Sequence, residues 1–409
     1  MEKNRSPKLC DPLICTGCAA CRNACPQEAI KMEPGTDGFL RPVIDPDQCI
    51  KCLLCEKACP VLISSKSSNE DKPAVFACWN KDCQIRKESS SGGAFSALAM
   101  SVLTNGGYVI GAGYDASMTV KHQICHSVED LQRLRGSKYV QSDIGLTYRD
   151  VKKILSEGVK PVLFVGTPCQ VAGLRSYLRK DYANLYCCDF ICHGTPSPLL
   201  FKEYLRWVES IKHIRISSFN FRHKHSGWYD ALRVANGNGY MKGKLDAYFF
   251  GFNRDITLRE SCYHCPAIGL PRKGDITVAD YWGVGMMYRF EALHEISNGI
   301  SLVMLNNEKG KMLFEQSQSY MHWSLGSLDE ALSRNQPMIR ASHRPQSRDT
   351  FYDDLHRFGF EYVRRKYLRI NGKSRVIAWA RENLPRKFMV GIREMIQFII
   401  WGRNGSQTL

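Results

Sequence analysis

The spacing of apolar residues predicts alternating helices and strands through the middle of the chain. Residues 93–107 place apolar side chains at helical spacing and end at a glycine pair, and residues 147–157 form an amphipathic helix that stops at Gly158. Two continuous apolar runs, at residues 161–166 and 185–192, are typical of strands buried on both faces of a parallel sheet. This alternation predicts an α/β core.

The pattern continues on both sides of these elements. Residues 231–244 are predicted to form a hairpin around an Asn-Gly turn. Residues 64–73 are polar and rich in turn residues, which predicts a linker. Further strands are predicted at residues 76–80, 108–115, 120–127, 274–283 and 299–305, and further helices at residues 169–180 and 197–212.

The last segment has a different composition. Residues 362–409 contain eleven Lys or Arg against two Glu, which is +9 of the formal net charge of +16. A helix over residues 388–401 would be too short to span a bilayer, but it could lie on an anionic membrane surface or dock on the core. One face of that helix would carry Phe388, Met389, Ile392, Met395, Ile396, Ile399 and Ile400.

The chain has 409 residues, of which 44% are apolar and 23% charged, as in ordinary globular proteins. These values exclude a largely disordered, collagen-like or coiled-coil chain. No run approaches the ~18 apolar residues of a spanning helix. Because residues 1–10 lack an apolar core, no signal peptide is predicted. We expect a cytoplasmic protein, with peripheral contact at the inner face of the membrane through residues 362–409 as a hypothesis.

Eight of the 18 cysteines fall in two matching runs near the N-terminal end, and both runs read C-x2-C-x2-C-x3-C-P. This is the pattern of bacterial ferredoxins with two [4Fe–4S] clusters, in which the fourth cysteine of each run ligates the other cluster. Zinc and disulfides are the alternatives, but zinc favours paired knuckles and disulfides need an oxidising compartment. The predicted sets are Cys15, Cys18, Cys21 and Cys59, and Cys49, Cys52, Cys55 and Cys25.

Further cysteines follow the predicted core strands. Cys169 opens a helix directly after a strand, where a helix N-terminus would favour a thiolate. Cys192 and His193 end the next apolar strand, and His193 is a candidate proton donor to a reduced cofactor. Cys262 and Cys265 form a C-x2-C pair. Together, the four cysteines would suffice for a third cluster, although a redox dithiol or a zinc knuckle is equally compatible with the spacing. Cys187 and Cys188 are expected to pack in the core.

Two loops have residues suited to a phosphorylated, flat cofactor. Residues 87–98 place serines and glycines before a helix, where backbone N–H groups bind phosphate. Residues 136–142 combine a cation, an aromatic ring and amide donors, as a flavin site requires. Taken alone, each loop is compatible with an ordinary turn.

In their order along residues 74–345, these motifs resemble the beta-subunit family of coenzyme F420-reducing hydrogenases and F420-linked dehydrogenases. The motifs are SSSGGAF, GSKYVQS, VLFVGTPCQVAGL, DFICHGTPSP, RESCYHC and GDITVADYWG. The chain also resembles the members of that family with a fused N-terminal two-cluster ferredoxin.

The resemblance implies an α/β protein with bound FAD and a further [4Fe–4S] cluster beside it. It implies a cluster held by Cys169, Cys192, Cys262 and Cys265. It also implies FAD contacts at Ser91, Gly92, Gly93, Lys138, Tyr139 and Gln141.

The predicted fold class is therefore a mixture of α+β and α/β. A ferredoxin-like domain (1–63) and a linker (64–73) precede two regions of an α/β flavin-binding unit (74–160 and 161–345), followed by a basic helical tail (346–409). FAD and the third cluster are assigned to residues 161–345.

The leading functional hypothesis is an iron–sulfur flavoenzyme that transfers electrons between a ferredoxin or other redox protein and an organic acceptor. F420 and a lipid-linked saccharide precursor in surface-polysaccharide biosynthesis are candidate acceptors; the basic tail alone motivates the second. The alternatives are an F420-reducing or electron-transfer subunit of a larger complex, with no substrate of its own, and an iron–sulfur sensor without flavin. No specific nucleic-acid partner is expected, because the basic tail matches no known binding module.

Overall fold

A computed structural model describes the chain in several segments separated by short gaps. The predicted linker falls largely in one of these gaps, and residues 370–409, with the apolar face predicted for the tail, lie outside the described residues. Those residues are 5–63, 69, 72–225, 227–229, 232–242 and 246–369.

An eight-stranded mixed sheet organises most of the chain, in the order β13-β3-β12-β11-β7-β6-β4-β5. The four inner strands β11, β7, β6 and β4 run parallel, and the others are antiparallel to their neighbours. The strands are β3 (Ala74–Asn80), β4 (Tyr108–Tyr114), β5 (Val120–Cys125), β6 (Val162–Gly166), β7 (Leu185–Phe190), β11 (Ile276–Asp280), β12 (Ser301–Leu305) and β13 (Met321–Leu325).

Helices cover both faces of this sheet. Along β6, Val162 and Phe164 belong to the core under one helix layer, and Leu163 belongs to the core under the other, as expected of a strand buried on both faces. Cys187 and Cys188 divide between the same two cores, which confirms their predicted packing role. One layer contains α5 (Thr147–Glu157) and α6 (Pro168–Leu178), and the other contains α4 (Ala94–Thr104) and α9 (Glu308–Ser317).

A third core lies beside the sheet. It includes Tyr204, Phe221, Tyr248 and Phe351, all fully or almost fully buried. The elements around it are α7 (Pro198–Lys212), α8 (Ala247–Asn253), α11 (Arg348–Lys366, kinked at Gly359) and a small antiparallel sheet of β8 (Phe219–His223), β9 (Leu232–Ala235) and β10 (Asn238–Lys242).

The N-terminal region is a small separate unit with little apolar core of its own. It has one antiparallel strand pair and two helices of five and four residues. Its elements are α1 (Ala20–Ala24), β1 (Ile30–Pro34), β2 (Leu40–Ile44) and α2 (Leu54–Lys57). Ala20 and Ala58 are buried in the same core as α5 and α6, so this unit packs on the large sheet domain.

The short remaining helices connect these parts. They are α3 (Cys83–Glu88), α10 (Leu328–Arg334) and 3₁₀ helices at Glu129–Arg133, Glu260–His264, Leu293–Asn298, Gln318–Tyr320 and Gln336–Met338. In the described residues, we find no helix with the length and apolar character needed to cross a bilayer.

The structure confirms the predicted strands and helices of the α/β core, including the hairpin, whose Asn236 and Gly237 adopt positive φ. The beginning of the basic tail is part of α11 and the turn after it, where Val363 and Leu368 are buried in the third core. The described part of the tail is thus docked on the protein.

Candidate functional site

A cavity of about 960 Å³ opens at the carboxyl ends of β6, β7 and β11. In open α/β sheets, this is the edge at which ligands bind, because the loops there diverge and leave a crevice. All four cysteines predicted for the third cluster line the cavity, as do Ser91, Gly93, Lys138, Tyr139, Gln141 and His193.

Two of the four cysteines come from neighbouring strands. Cys169 is the second residue of α6, directly after β6, and Cys192 follows β7 by two residues. Because β6 and β7 pair in parallel, their carboxyl ends deliver both side chains to the same edge.

The other two cysteines are positioned by a chain segment that runs antiparallel to the residues after β7. Pro196 bridges Leu258, and the N–H of Arg259 donates to the carbonyl of Thr195 at 3.0 Å. This pairing sets the 3₁₀ helix Glu260–His264, which carries Cys262, beside the loop of Cys192. Cys265 ends that helix.

These thiols lie in a desolvated environment. Burial raises the pKa of Cys169 to about 12, and burial together with the neighbouring cysteines raises the pKa of Cys192 well above its usual value. Burial also raises the pKa of Cys262 and Cys265. At Cys169, desolvation outweighs the hydrogen bond to Thr167 and opposes the predicted thiolate character. A cationic centre would reverse these shifts.

In the described residues, no three His, Cys, Asp or Glu side chains are close enough together to ligate one metal ion. A [4Fe–4S] cluster makes a different demand, since each of its four irons takes one cysteine and the sulfurs surround the cluster rather than a single atom. Four half-buried cysteines around one cavity are compatible with such a cluster.

The first N-terminal set, Cys15, Cys18, Cys21 and Cys59, lines a second, small cavity. Burial raises the pKa of Cys18 to about 11, with further contributions from the charges of Cys15 and Cys59. The pKa of Cys21 is raised well above its usual value by burial and by the charges of Cys18, Cys15 and Cys59. These four residues are thus close neighbours, as the crossed assignment of the two runs requires.

The second N-terminal set lies nearer the surface. Burial, with a contribution from the charge of Cys52, raises the pKa of Cys55 to about 11. Cys25 and Cys49 are half-buried, and Cys52 is exposed.

The first N-terminal set also lies against the helix of Cys169. A Cβ atom added to Gly173 of α6 would lie 3.0 Å from Sγ of Cys18 and 3.0 Å from the hydroxyl of Tyr148. Tyr148 donates to the carbonyl of Gln170 at 2.7 Å, and its pKa is raised by burial and by the charges of Cys18 and Cys169. The helix that carries Cys169 therefore packs directly against Cys18 of the first N-terminal set.

Arg259 joins the N-terminal unit to the wall of the large cavity. Its guanidinium, only 2% exposed, donates to the carbonyls of Cys15 at 2.7 Å and Leu40 at 3.1 Å, and to Oε1 of Gln141 at 2.9 Å. Gln141 in turn donates to the carbonyl of Thr16 at 3.0 Å. The amide predicted to contact FAD thus also fixes the cysteine loop of the first cluster site.

Only part of the serine-glycine loop (residues 87–98) lines the cavity. Ser91 and Gly93 line it, and Gly93 caps the N-terminus of α4 with a φ of 92°. Gly92 instead packs between strands, where a Cβ would lie 2.3 Å from the carbonyl oxygen of Cys78, and it is not among the lining residues. The Ser91 hydroxyl donates to the carbonyl of Ile300 at 2.9 Å.

Lys138 and Tyr139 are fixed by their surroundings. The Lys138 ammonium donates to the carbonyls of Leu134 and Arg135 at 2.9 and 3.0 Å, and burial lowers its pKa to about 7. The Tyr139 ring meets Phe249 edge to face, with ring centroids 4.9 Å apart. Both side chains can therefore present a fixed surface to a ligand.

His193 borders the cavity in contact with a carboxylate. Its Nε2 lies 2.7 Å from Oδ1 of Asp255, and its ring packs against Phe252. This pairing fixes the ring orientation, and a role in proton transfer stays a prediction.

The sequence motifs did not indicate the residues that form the opposite wall of the cavity. Asp280, at the end of β11, accepts a hydrogen bond from Nε1 of Trp228 at 2.8 Å and pairs with Arg222. The rings of Trp228 and Trp282 stack with centroids 4.5 Å apart. Asp280 and Trp282 lie within GDITVADYWG, where they could have been noticed, but Arg222 and Trp228 belong to no motif.

Arg233 is the second residue that the sequence did not indicate. It lines the cavity, is 1% exposed, and lies over the ring of Phe249 at 4.2 Å. Within the described part of the chain, its Nε and one Nη have no hydrogen-bond partner. A buried guanidinium with unused donors beside a cavity is suited to an anionic ligand.

Two ferredoxin-type cysteine runs packed on a mixed α/β sheet with a thiol-lined cavity define an iron–sulfur redox protein. Comparison with known proteins agrees. Residues 75–145 and 159–330 match the N-terminal and C-terminal models of the coenzyme F420 hydrogenase/dehydrogenase beta subunit, and residues 14–63 match a 4Fe-4S dicluster domain. The chain belongs to this beta-subunit family and carries a dicluster domain at its N-terminal side.

Individual relatives are distant. A coenzyme F420-dependent sulfite reductase from Methanocaldococcus jannaschii is 27% identical over 229 residues, which is 55% of this chain. The chain spans about a third (34%) of that relative's length. A solved chain of the F420-reducing [NiFe] hydrogenase complex from Methanosarcina barkeri is 17% identical, with a TM-score of 0.45 over 67% of this chain and 97% of that one.

Proposed function

We propose that the chain is an iron–sulfur flavoprotein oxidoreductase that connects a ferredoxin-like electron donor with an organic acceptor. Bound at the sites described, [4Fe–4S] clusters and FAD would supply one-electron transfer and its conversion to two-electron chemistry. The observation that carries the proposal is the cavity of about 960 Å³, which five of the six predicted FAD residues line together with the four cysteines.

The chain's own residues have definable roles in this proposal. Cys169, Cys192, Cys262 and Cys265 would hold a third cluster. Ser91 and Gly93, at the N-terminus of α4, and the guanidinium of Arg233, whose Nε lies 4.0 Å from Oδ1 of Asp246, would meet the anionic part of FAD, because backbone N–H groups and a buried guanidinium both stabilise phosphate.

The order of the cluster sites along the proposed electron path follows from the residues that surround each site. Cys18 is in contact with α6 at Gly173, so the set of Cys15, Cys18, Cys21 and Cys59 would be the inner N-terminal cluster. The set with the exposed Cys52 would face the donor. Exposed apolar side chains nearby, Ile50 at 59% and Leu62 at 46%, are suited to a protein partner.

The test is anoxic purification with iron, sulfide and flavin measured per chain. We expect about twelve irons and one FAD per chain, since each of three clusters holds about four irons. About eight irons would contradict the third cluster, and a chain without flavin would contradict the flavoprotein and favour an iron–sulfur sensor.

An electron-transfer subunit without its own substrate is the second candidate, favoured by the exposed apolar side chains beside Cys52. The chemically reduced chain, by itself, should reduce an acceptor such as F420 or NAD(P)⁺ if the first proposal holds. A reduced chain that reacts only with another redox protein would support the subunit function. The saccharide hypothesis concerns residues outside the described chain and stays a prediction, to be tested by vesicle binding with and without residues 370–409.

A further inference from the structure

A cysteine outside both runs lies at the first N-terminal cluster site. Cys10 precedes both cysteine runs and belongs to neither of them. Its side chain is 8% exposed, and it lines the small cavity together with all four cysteines of the first set and Cys55 of the second. The cavity therefore presents more thiols than one cubane cluster needs.

Local backbone geometry brings Cys10 back toward the first run. The N–H groups of Ile14 and Cys15 both donate to the carbonyl of Asp11, at 3.1 and 2.8 Å, and close a turn between Cys10 and Cys15. The Cys10 thiol has a long contact of 3.6 Å with the carbonyl of Asp11, which is weak and easily exchanged.

Cys10 and Cys15 lie at the two ends of this closed turn, and both line the same small cavity. Of the four cysteines in the first set, Cys15 is therefore the one that the local backbone joins most directly to Cys10.

Cys10 lines the small cavity with all four cysteines of the first set but with only Cys55 of the second. All eighteen cysteines lie in the described residues. Twelve are assigned to the three sets, and apart from Cys10 the rest lie in the large sheet domain: Cys78, Cys83, Cys125, Cys187 and Cys188. The two N-terminal sites therefore differ in one testable respect.

We propose that Cys10 is a reserve ligand of the inner N-terminal cluster and binds the iron of Cys15 when that thiolate is lost. The proposal rests on the cluster assignment made under the proposed function. In the exchange, the Cys10 thiol gives up its proton to the departing Cys15 sulfur, one Fe–S bond breaks and another forms, and no electron is transferred. The inner cluster would thus survive the loss of Cys15, whereas the outer cluster would not survive the loss of Cys49.

The test compares four variants purified without oxygen: Cys10→Ala, Cys15→Ala, the double variant Cys10→Ala/Cys15→Ala, and Cys49→Ala as the matched control in the second run. We expect Cys10→Ala and Cys15→Ala to keep the iron content of the wild type. The double variant and Cys49→Ala should each lack about four irons, the content of one cluster. In Cys15→Ala, the electron paramagnetic resonance signal of the inner cluster should be altered but present.

The proposal is overturned if Cys15→Ala lacks about four irons and removing Cys10 as well causes no further loss. A Cys49→Ala variant with full iron would instead contradict the underlying cluster assignment, so the two failures are distinguishable. Near-ultraviolet circular dichroism and flavin content, which report on the sheet domain, check that each variant is folded.

Discussion

The N-terminal unit and the large cavity both gather cysteines, but they do so in opposite ways. In the N-terminal unit, eight cysteines lie from Cys15 to Cys59, on loops and on two helices of only five and four residues. Around the cavity, four cysteines from three chain segments between Cys169 and Cys265 are held by an eight-stranded sheet with helices on both faces.

The two sites should therefore depend differently on metal. A region with little apolar core has to obtain its folding free energy from ligation. The large sheet has apolar cores that do not include the four cavity cysteines, so its fold should persist when they bind nothing. In the first region, ligation would be needed to fold the chain. In the second region, the fold would hold the cysteines in place without metal.

Removal of iron should separate the two regions most strongly. After chelation under reducing conditions, amides of residues 15–59 should exchange with solvent faster by a factor on the order of 100 or more, since ligation and folding are coupled there. Amides of β6 and β7 should keep their protection. Hydrogen exchange followed by mass spectrometry measures both, and equal loss in both regions would contradict the comparison.

Single cysteine substitutions should come next in effect. Cys18→Ala and Cys262→Ala should each lose about four irons, because each removes one ligand of one cluster. Flavin content should stay near normal in Cys18→Ala, whereas Cys262→Ala should also lose chemical reduction of the flavin through the N-terminal clusters. Iron analysis and stopped-flow absorbance provide the measurements; a Cys262→Ala variant with wild-type iron would disprove the third cluster.

The contact between the regions can be disturbed with one methyl group. In Gly173→Ala the new Cβ would lie 3.0 Å from Sγ of Cys18, so the N-terminal unit has to move or the core is strained. We expect a loss of about 1–3 kcal/mol, typical of overpacking, together with slower electron transfer to the cavity. Gly158→Ala is the matched control, because its added Cβ meets nothing within 4 Å. Similar thermal midpoints for the two variants would contradict close packing at Gly173.

The smallest expected effect concerns a helix cap at the cavity. The Thr167 hydroxyl accepts from the N–H of Gln170 at 3.4 Å and lies 3.0 Å from Sγ of Cys169. Thr167→Ala should cost about 1 kcal/mol of stability and speed the loss of the third cluster to a chelator. Ser327→Ala removes a comparable cap from α10, away from the cysteines, and should leave the chelation rate unchanged. Equal chelation rates in the two variants would show that the contact with Cys169 has no effect.

The local elements and the two N-terminal cysteine runs of a dicluster domain could be predicted from the sequence alone. The spacing of apolar residues was sufficient to predict β6, β7 and the helices after them, because each of these elements has a long and regular hydrophobic pattern. The two cysteine runs indicated two clusters, since ligands that are close in sequence need little tertiary structure to meet.

The lining of the large cavity, in contrast, depends on the tertiary structure. Arg222 and Arg233 lie on β8 and β9 of the small sheet and Trp228 lies between these strands, and their spacing in sequence gives no sign that they meet at the cavity. Gly92 lies inside a predicted motif and yet packs between strands, because steric space at a glycine depends on distant backbone.

The same reason explains the pKa of Cys169. Its position at a helix start predicted a thiolate, but burial among residues of other segments raises its pKa to about 12. The local sequence decides which side chains lie at the carboxyl edge of the sheet. Their desolvation and contacts depend on all the other segments that pack against that edge.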